Sequence, residues 1–367
     1  MDRRRFVGSK NQNSPRTLPR IPTKVFRMPE SAVITRRDRI SWQAGAHDQF
    51  VVLERPAGDP VLEFATAVAA GLTANPRSLP CRYLYDHRGS ELFEKICQLP
   101  EYYLTRTEAS ILAQHAADIQ EETGQVTLIE LGSGTSVKTD YLLAAYSRNG
   151  HHVRYMPVDI SESALRIAAR NITARHPTVQ VVGIVGQYEL AFSLFREHSP
   201  SLVLFLGSTL GNLSEEETAE FLCGISDSLS AGDYFLLGID LVKDAAVLEA
   251  AYNDSAGVTA QFTENIFARM NRELGAGVDL AGIEHFATYD AERQQVDVRV
   301  RFLTEQVVSI APLQRAVQVP AGEEVRIEIS KKFVLHEIRR DLARFGFELR
   351  RVFTDDEEKY AVLLLRR

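Results

Sequence analysis

The hydrophobic pattern changes period along the chain. Val61–Leu72 places apolar residues at helical spacing and stops at Asn75-Pro76. Arg88–Gln98 and Thr105–Glu122 predict two more helices, joined by Leu99-Pro-Glu-Tyr-Tyr-Leu104. From Val126 short apolar runs take over: Val126–Leu131, Tyr155–Asp159, Val179–Val185, Leu202–Leu206 and Tyr234–Ile239. The segments between them, Lys138–Arg148, Ser161–His176 and Glu215–Ser230, have a period near 3.6. Strands alternating with helices predict a parallel, doubly wound α/β sheet. Helical spacing continues over Asp244–Tyr252 and Val258–Leu274. Ile283–Tyr289, Gln295–Val308 and Glu324–Lys332 then alternate residue by residue, as half-buried strands do. A helix at Val334–Phe345 and strands at Phe347–Phe353 and Tyr360–Leu365 close the chain, and regular structure is expected to begin near Pro60.

Composition narrows the picture. The 367 residues are 45% hydrophobic and 25% charged, and no apolar run is long enough to span a bilayer. Cys81, Cys97 and Cys223 lack the CxxC spacing of a zinc site and are odd in number, which fits a reducing, cytoplasmic compartment. Residues 1–50 carry 11 Lys/Arg against 4 Asp/Glu, so the remainder of a chain of net charge −7 is strongly acidic. An acidic body is unsuited to a phosphate backbone, which excludes nucleic acid as the expected partner. The proline-containing basic head lacks a helical period and reads as a solvated tail. The nine histidines show no metal-ligand spacing, so no metal is expected.

The sharpest local signal is Val126-Thr-Leu-Ile-Glu-Leu-Gly-Ser-Gly-Thr-Ser136: a strand, then Gly132 and Gly134, then a helix holding Lys138. Glycines at such a turn let the backbone approach a ligand at the carboxyl end of the strand. The dinucleotide fingerprint requires a third glycine where Val137 stands, which weakens a nicotinamide reading. The next predicted strand ends in Asp159, whose carboxylate can accept two ribose hydroxyls, and Ser161 is placed to cap the following helix. The acidic-x-Gly-x-Gly pattern resembles motif I of class I S-adenosylmethionine (SAM) methyltransferases. Taken alone, the glycine pair and Asp159 are equally compatible with a tight turn and a helix cap.

Further motifs extend the resemblance over roughly residues 60–367. They are Leu84-Tyr-Asp-His-Arg-Gly-Ser-Glu-Leu-Phe93, Leu99-Pro-Glu-Tyr-Tyr-Leu-Thr-Arg-Thr-Glu108, Pro157-Val-Asp-Ile-Ser-Glu-Ser-Ala-Leu165, Phe205-Leu-Gly-Ser-Thr-Leu-Gly-Asn-Leu213, Asp240-Leu-Val-Lys-Asp244, Ala251-Tyr-Asn-Asp-Ser-Ala-Gly-Val-Thr259 and Glu328-Ile-Ser-Lys-Lys-Phe333. In this order they resemble the L-histidine Nα-methyltransferases of ergothioneine biosynthesis. The resemblance implies a Rossmann-like class I SAM methyltransferase core with a second, discontinuous α+β substrate-recognition domain. Its boundaries would be a helical part at 60–125, the SAM-binding core at 126–242, an αβ part at 243–332 and a helix with strands completing the core sheet at 333–367, after the basic tail at 1–50. It also implies methylation of histidine to the betaine hercynine; separately from the resemblance, a monomer is expected.

By the same resemblance, Tyr102 and Asn212 hold the substrate α-amino group, Tyr85 and Tyr252 its carboxylate, and Glu328 with Ser330 its imidazole. Gly132, Lys138, Asp159, Gln187 and Tyr188 would hold the cofactor. Glu328 and Ser330, two apart on an alternating strand, share a face. There are two departures from the family. Val298 stands where the family commonly has a methionine against the ring, which enlarges the pocket and opens it to tryptophan or an indole derivative. Gln187-Tyr188 replaces an acidic-aromatic pair at the adenine. The same chemistry on another amino acid, a catalytically silent SAM-binding module and an NAD-dependent oxidoreductase are the readings left beside it.

Overall fold

The computed structural model describes residues 59–134 and 136–367, with the backbone of two strands before them, Arg39–Gln43 (β1) and Gln49–Leu53 (β2). The rest of the basic head lies outside the described residues. The first helix, Pro60–Thr73 (α1), is capped by Asp59, whose carboxylate accepts from Val61 N at 2.9 Å. His87–Ile96 (α2) and Leu104–Thr123 (α3) follow. The alternating region then runs Thr127–Leu131 (β3), Asp140–Tyr146 (α4), Val153–Asp159 (β4), Glu162–Arg175 (α5), Val179–Val185 (β5), Tyr188–Phe195 (α6), Ser201–Phe205 (β6), Glu215–Ser228 (α7) and Tyr234–Asp240 (β7). Ala245–Tyr252 (α8), Val258–Leu274 (α9), Ile283–Asp290 (β8), Gln295–Phe302 (β9), Gln306–Ile310 (β10), Arg315–Val319 (β11) and Glu324–Lys331 (β12) make up the next segment. Leu335–Arg344 (α10), Glu348–Thr354 (β13) and Tyr360–Arg366 (β14) end the chain.

The main sheet has nine strands in the order β1-β2-β5-β4-β3-β6-β7-β14-β13. Strands β5, β4, β3, β6 and β7 are parallel, while β14 pairs antiparallel with β7 and β13 with β14. From β3 the chain winds outward to β4 and β5, then restarts on the other side with β6 and β7. The crevice between the carboxyl ends of β3 and β6 is therefore the switch point at which such sheets bind ligands. Alternate residues of each strand feed two cores: Leu128, Leu202, Leu204 and Leu236 face one side, and Ile129, Val203, Phe205 and Leu237 the other. Packing on both faces explains why these strands read as continuous apolar runs.

Between β7 and α10 the chain builds a three-stranded antiparallel sheet, β12-β9-β8, against α8 and α9. Its exit and return run side by side: Leu241 bridges Phe333, Phe333 N donates to Asp240 O at 2.8 Å, and Val242 N donates to Phe333 O at 3.0 Å. In β12 the register against β9 shifts between Arg326 and Glu328. Before the shift Val325 pairs with Val300; after it Glu328 pairs with Val298 and Ser330 with Val296. A β-bulge thus turns the polar residues of β12 onto the face that plain alternation would have given to Ile327 and Ile329.

The sequence reading differs from the structure in four places. Regular structure starts before Pro60, since β2 joins the sheet edge parallel to β5; a five-residue run is too short to show a period. Gln295–Val308 is not one strand but β9 and the start of β10, which leaves the sheet to pair with β11. The β11 strand (RAVQV) and helix α6 were both missed, the former because it is a largely exposed hairpin arm and the latter because Gln187-Tyr188 was weighed only as a ligand contact.

A single-turn 3-10 helix at Thr209–Asn212 lies against β12. A Cβ on Gly211 would sit 2.7 Å from Lys331 O and 3.1 Å from Lys331 N, so the absence of a side chain is what lets this turn reach the strand. Gly211→Ala is expected to lower stability by about 1–3 kcal/mol through overpacking. Thermal unfolding would detect that loss, and an unchanged melting temperature would contradict the close approach.

Candidate functional site

Glu130 anchors the turn after β3. It is buried, accepts from Thr139 Oγ1 at 2.6 Å and from the Tyr155 hydroxyl, and Ser136 Oγ lies 2.7 Å from that same hydroxyl. Burial pushes its carboxyl up to about 7, with the Thr139 and Tyr155 bonds opposing. Above this anchor, Asp159 at the end of β4 accepts from Gly134 N at 2.9 Å and Ser161 N at 2.8 Å. Burial raises its pKa against the pull of those amides. Tyr188 closes the other side: its hydroxyl lies where a Cβ on Gly132 would come within 2.7 Å. Gln187 is the residue from which α6 starts, and Ser133 Oγ is buried with no hydrogen-bond partner among the described residues.

Lys138 borders the same crevice. Its ammonium pairs with Glu108 of α3, and Glu108 also accepts from Gly207 N and Tyr360 Oη, each at 2.8 Å. Burial works to lower the Lys138 pKa, but the adjacent Glu108 carboxylate more than offsets it and the net shift is upward. Glu108 is fully buried on the apolar stripe of α3 among Leu104, Ile111 and Leu112. The sequence reading quoted it without assigning it a role. A carboxylate inside a helical stripe was the available signal, because an unpaired buried charge is costly.

The substrate-side candidates converge across β12, α8 and the loops before α2 and α3. Tyr85 stacks edge-on against Phe93 and Phe262 at 5.5 and 5.3 Å, Tyr102 against Phe93 at 6.2 Å, and Tyr102 against Tyr252 at 6.1 Å. Tyr252 Oη donates to Ser330 Oγ at 2.7 Å. Val298 is buried directly across from Glu328 in the β9–β12 ladder. The Asn212 amide lies close enough to Glu328 to pull its carboxyl pKa down. Glu328 is half-buried on β12. Helix α7 is capped by Ser214, so Asn212 is not needed as its cap. The phenols of Tyr85 and Tyr102 are buried, which raises their pKa values, and Glu328 adds to both shifts. Ring contacts, the Tyr252–Ser330 bond, the Glu328–Val298 pair and the nearness of Asn212 to Glu328 thus bring the seven substrate-side candidates into one neighbourhood, a candidate recess beside the Thr209–Asn212 turn.

Four polar residues behind this recess, Lys332, Asp240, Lys243 and Tyr103, have no assigned role in the sequence reading. Lys332, with no exposed surface, pairs with Asp240 at 2.9 Å and donates to Tyr252 Oη at 3.0 Å and Ser330 Oγ at 2.9 Å. Asp240 also holds Lys243 Nζ at 2.6 Å and accepts from Tyr103 Oη at 2.8 Å. Lys332 and Asp240 sat inside quoted motifs, but a lysine after a strand reads as solvated until the partner strand is known.

A doubly wound sheet with an Asp159-ended second strand and a glycine turn at the switch point is the arrangement of class I SAM-dependent methyltransferases. The family described as histidine-specific, SAM-dependent methyltransferases matches residues 64–367. A histidine N-alpha-methyltransferase of Mycolicibacterium smegmatis is 42% identical over 297 residues, covering 81% of this chain and 92% of that protein. Its counterpart from Mycobacterium tuberculosis is 39% identical over the same shares. An ergothioneine biosynthesis protein 1 from Neurospora crassa is 35% identical over 56% of this chain and 24% of that protein. The chain belongs to the histidine-specific, SAM-dependent methyltransferases. Among the described residues no helix is long and apolar enough to cross a membrane.

Burial raises the Glu328 carboxyl to about 7, with Lys332 and the Asn212 amide pulling it down. The folded chain therefore binds this proton more tightly than the unfolded one. Its contribution to stability is greatest below the ordinary value of 4.5 and falls as pH rises through about 7. Glu328→Gln removes that penalty and should raise stability at pH 8 by an amount on the order of 3 kcal/mol. Chemical denaturation at pH 8 and pH 5 would show a gain confined to the higher pH; an equal change at both would contradict the burial.

Proposed function

We propose that this enzyme transfers methyl groups from SAM to the α-nitrogen of L-histidine, three times in succession, to give hercynine. The observation that supports it most is the proximity of Asn212 to Glu328, which brings a candidate amine holder beside a candidate ring reader. The crevice at β3 and β6 suits an adenosyl group. Asp159 has oxygens for ribose hydroxyls, the orphaned Ser133 Oγ and the backbone at Gly132 face a polar ligand, and Gln187 and Tyr188 border the place of the base. Lys138 offers a cation for the carboxylate of the methionyl end. SAM bound there supplies a sulfonium methyl open to displacement by an amine lone pair.

The chain's own residues must then present a neutral amine, because an ammonium has no lone pair. Asn212 offers Oδ1 as an uncharged acceptor for that amine. Tyr102 Oη, on a buried side chain, is the second acceptor. Neither adds a negative charge that would hold the amine protonated. Tyr85 supplies the hydroxyl donor of the carboxylate site, Tyr252 lines that site with its own proton committed to Ser330, and Glu328 with Ser330 form the ring site. Positioning and exclusion of water by the aromatic wall then supply the rate. On this reading residues 60–125 and 243–332 form the substrate-recognition domain, and 126–242 with 333–367 the cofactor core. The free cysteines and acidic body support a cytosolic monomer acting on a free amino acid, with its product entering ergothioneine synthesis.

Val298 favours a second reading. Its short side chain sits opposite Glu328, where a longer one would narrow the ring site. Admission of an indole would still leave Glu328 facing a ring of the wrong shape.

An amino-acid panel with SAM, read by product mass, tests the assignment. Histidine should gain methyl groups and tryptophan should gain them more slowly; methylation of another amino acid with none on histidine would overturn it. Asn212→Ala should lower kcat/KM for histidine by at least about tenfold, the cost of one lost buried hydrogen bond, with S-adenosylhomocysteine affinity retained. Calorimetry on the same variant would separate the two losses.

A further inference from the structure

The ammonium of Lys332 is the only cation in direct contact with the recess wall among the described residues, and it touches the wall from behind. Its three protons have three partners: Asp240 Oδ2 at 2.9 Å, Tyr252 Oη at 3.0 Å and Ser330 Oγ at 2.9 Å. Tyr252 Oη in turn donates to Ser330 Oγ at 2.7 Å. Counting donors and acceptors fixes the rest. Ser330 Oγ accepts from Lys332 and from Tyr252, which fills both of its acceptor positions, so its own proton is the group it has left to offer. Glu328, two residues away on the same face, offers only acceptors when ionised.

We propose that Lys332 is a positioning residue that sets the hydrogen-bond polarity of the ring site, forcing Ser330 to donate while Glu328 accepts. The inference rests on the assignment of this recess to histidine and adds what the recess demands of the ring. A neutral imidazole carries one bare nitrogen and one N–H, so it satisfies a donor and an acceptor together in one tautomer. An imidazolium presents two N–H groups and leaves the Ser330 proton facing another proton. An indole has an N–H and no bare ring nitrogen, so it leaves Ser330 without a partner. Discrimination would then come from an unpaired polar group on the protein rather than from the size of the cavity, and such rejection is strong. It would also let Val298 stand where a longer side chain would narrow the cavity.

Removal of Lys332 need not unfold the site. Asp240 keeps Lys243 Nζ at 2.6 Å and Tyr103 Oη at 2.8 Å, so the carboxylate is not left unpaired. Ser330 Oγ would regain an acceptor position and could turn its proton elsewhere.

The test is a double-mutant cycle of Lys332→Met and Ser330→Ala on the full chain. Histidine binding is measured by calorimetry with S-adenosylhomocysteine present, and S-adenosylhomocysteine binding is measured alone. Wild-type protein should bind histidine; if it does not, the assignment of the recess to histidine fails before the cycle begins. Each single variant should weaken histidine binding by about tenfold or more and leave S-adenosylhomocysteine within about twofold. The double variant should lose little beyond the worse single, because both changes remove the same hydrogen bond. Selectivity for histidine over tryptophan should shrink in Lys332→Met. Lys332→Gln, which keeps amide donors in place of the ammonium, should recover part of the loss, and it carries the test should Lys332→Met fail to fold. Full additivity in the cycle, or parallel loss of both ligands, would overturn the proposal and make Lys332 a structural residue only.

Discussion

The buried Asp240–Lys332 pair stands at the one place where the chain leaves the parallel sheet and comes back to it. Asp240 ends β7 and Lys332 follows β12, and the bridge of Leu241 to Phe333 zips the two passages together beside them. Everything from α8 to β12 hangs from this crossing. Taking both ions out of water costs several kcal/mol each, and Coulomb attraction offsets that only with good geometry and further hydrogen bonds. Both are present: the Lys332 ammonium has all three protons engaged, and Asp240 has Lys243 and Tyr103 besides. An apolar pair of equal volume could hold the crossing as firmly. It could not contact two hydroxyls of the recess wall, which is a reason for ions to stand there.

A second constraint acts from the opposite side. Asn212 reaches Glu328 only because Gly211 lets the 3-10 turn lie on the β12 backbone, and Glu328 faces inward only because β12 carries a bulge after Arg326. Neither device stabilises the chain by itself. Together with Glu130 at the cofactor turn, Glu328 is a carboxyl that burial raises to about 7, a position that weakens the fold at neutral pH and above. Departures of this kind concentrate where a site is built. Here they fall on the two sides of the crevice, one under each prospective ligand.

These positions show how far the sequence could be read. The α/β alternation was legible because each strand is buried on both faces, so β3 to β7 appear as unbroken apolar runs. The glycine turn and Asp159 were legible as a site because the chemistry of a strand end leaves few residue types able to serve there. In β12 the legible pattern pointed the wrong way: Val325, Ile327 and Ile329 alternate with Arg326, Glu328 and Ser330, which by period alone sends Glu328 to solvent. Only resemblance to a family turned it inward, and the bulge supplies the physical reason. Asp240 and Lys243 are three residues apart, but Lys332 and Tyr103 could not be grouped with them, since those contacts join segments about 90 and 137 residues apart. Glu108 was within reach, as a carboxylate in the stripe of α3, but its partner Lys138 is 30 residues away.

The arrangement also bears on repeated transfer to one nitrogen. On the proposed assignment a primary amine has N–H groups for Asn212 Oδ1 and Tyr102 Oη to accept, and each methyl added removes one of them. By the last transfer the nitrogen is tertiary, its lone pair is the only polar feature left, and acceptors can no longer orient it. What remains around it is the ring cluster of Tyr85, Phe93, Tyr102 and Tyr252, packed edge to face with centroids 5.5 to 6.2 Å apart. Such rings tolerate methyl groups, and their faces attract the positive charge that the nitrogen acquires as the last bond forms. Hydrogen bonds are thus best suited to the first transfer and aromatic faces to the last. A recess holding both on one wall can keep the nitrogen in line throughout, while Glu328, Ser330 and the carboxylate site fix the other end of the molecule.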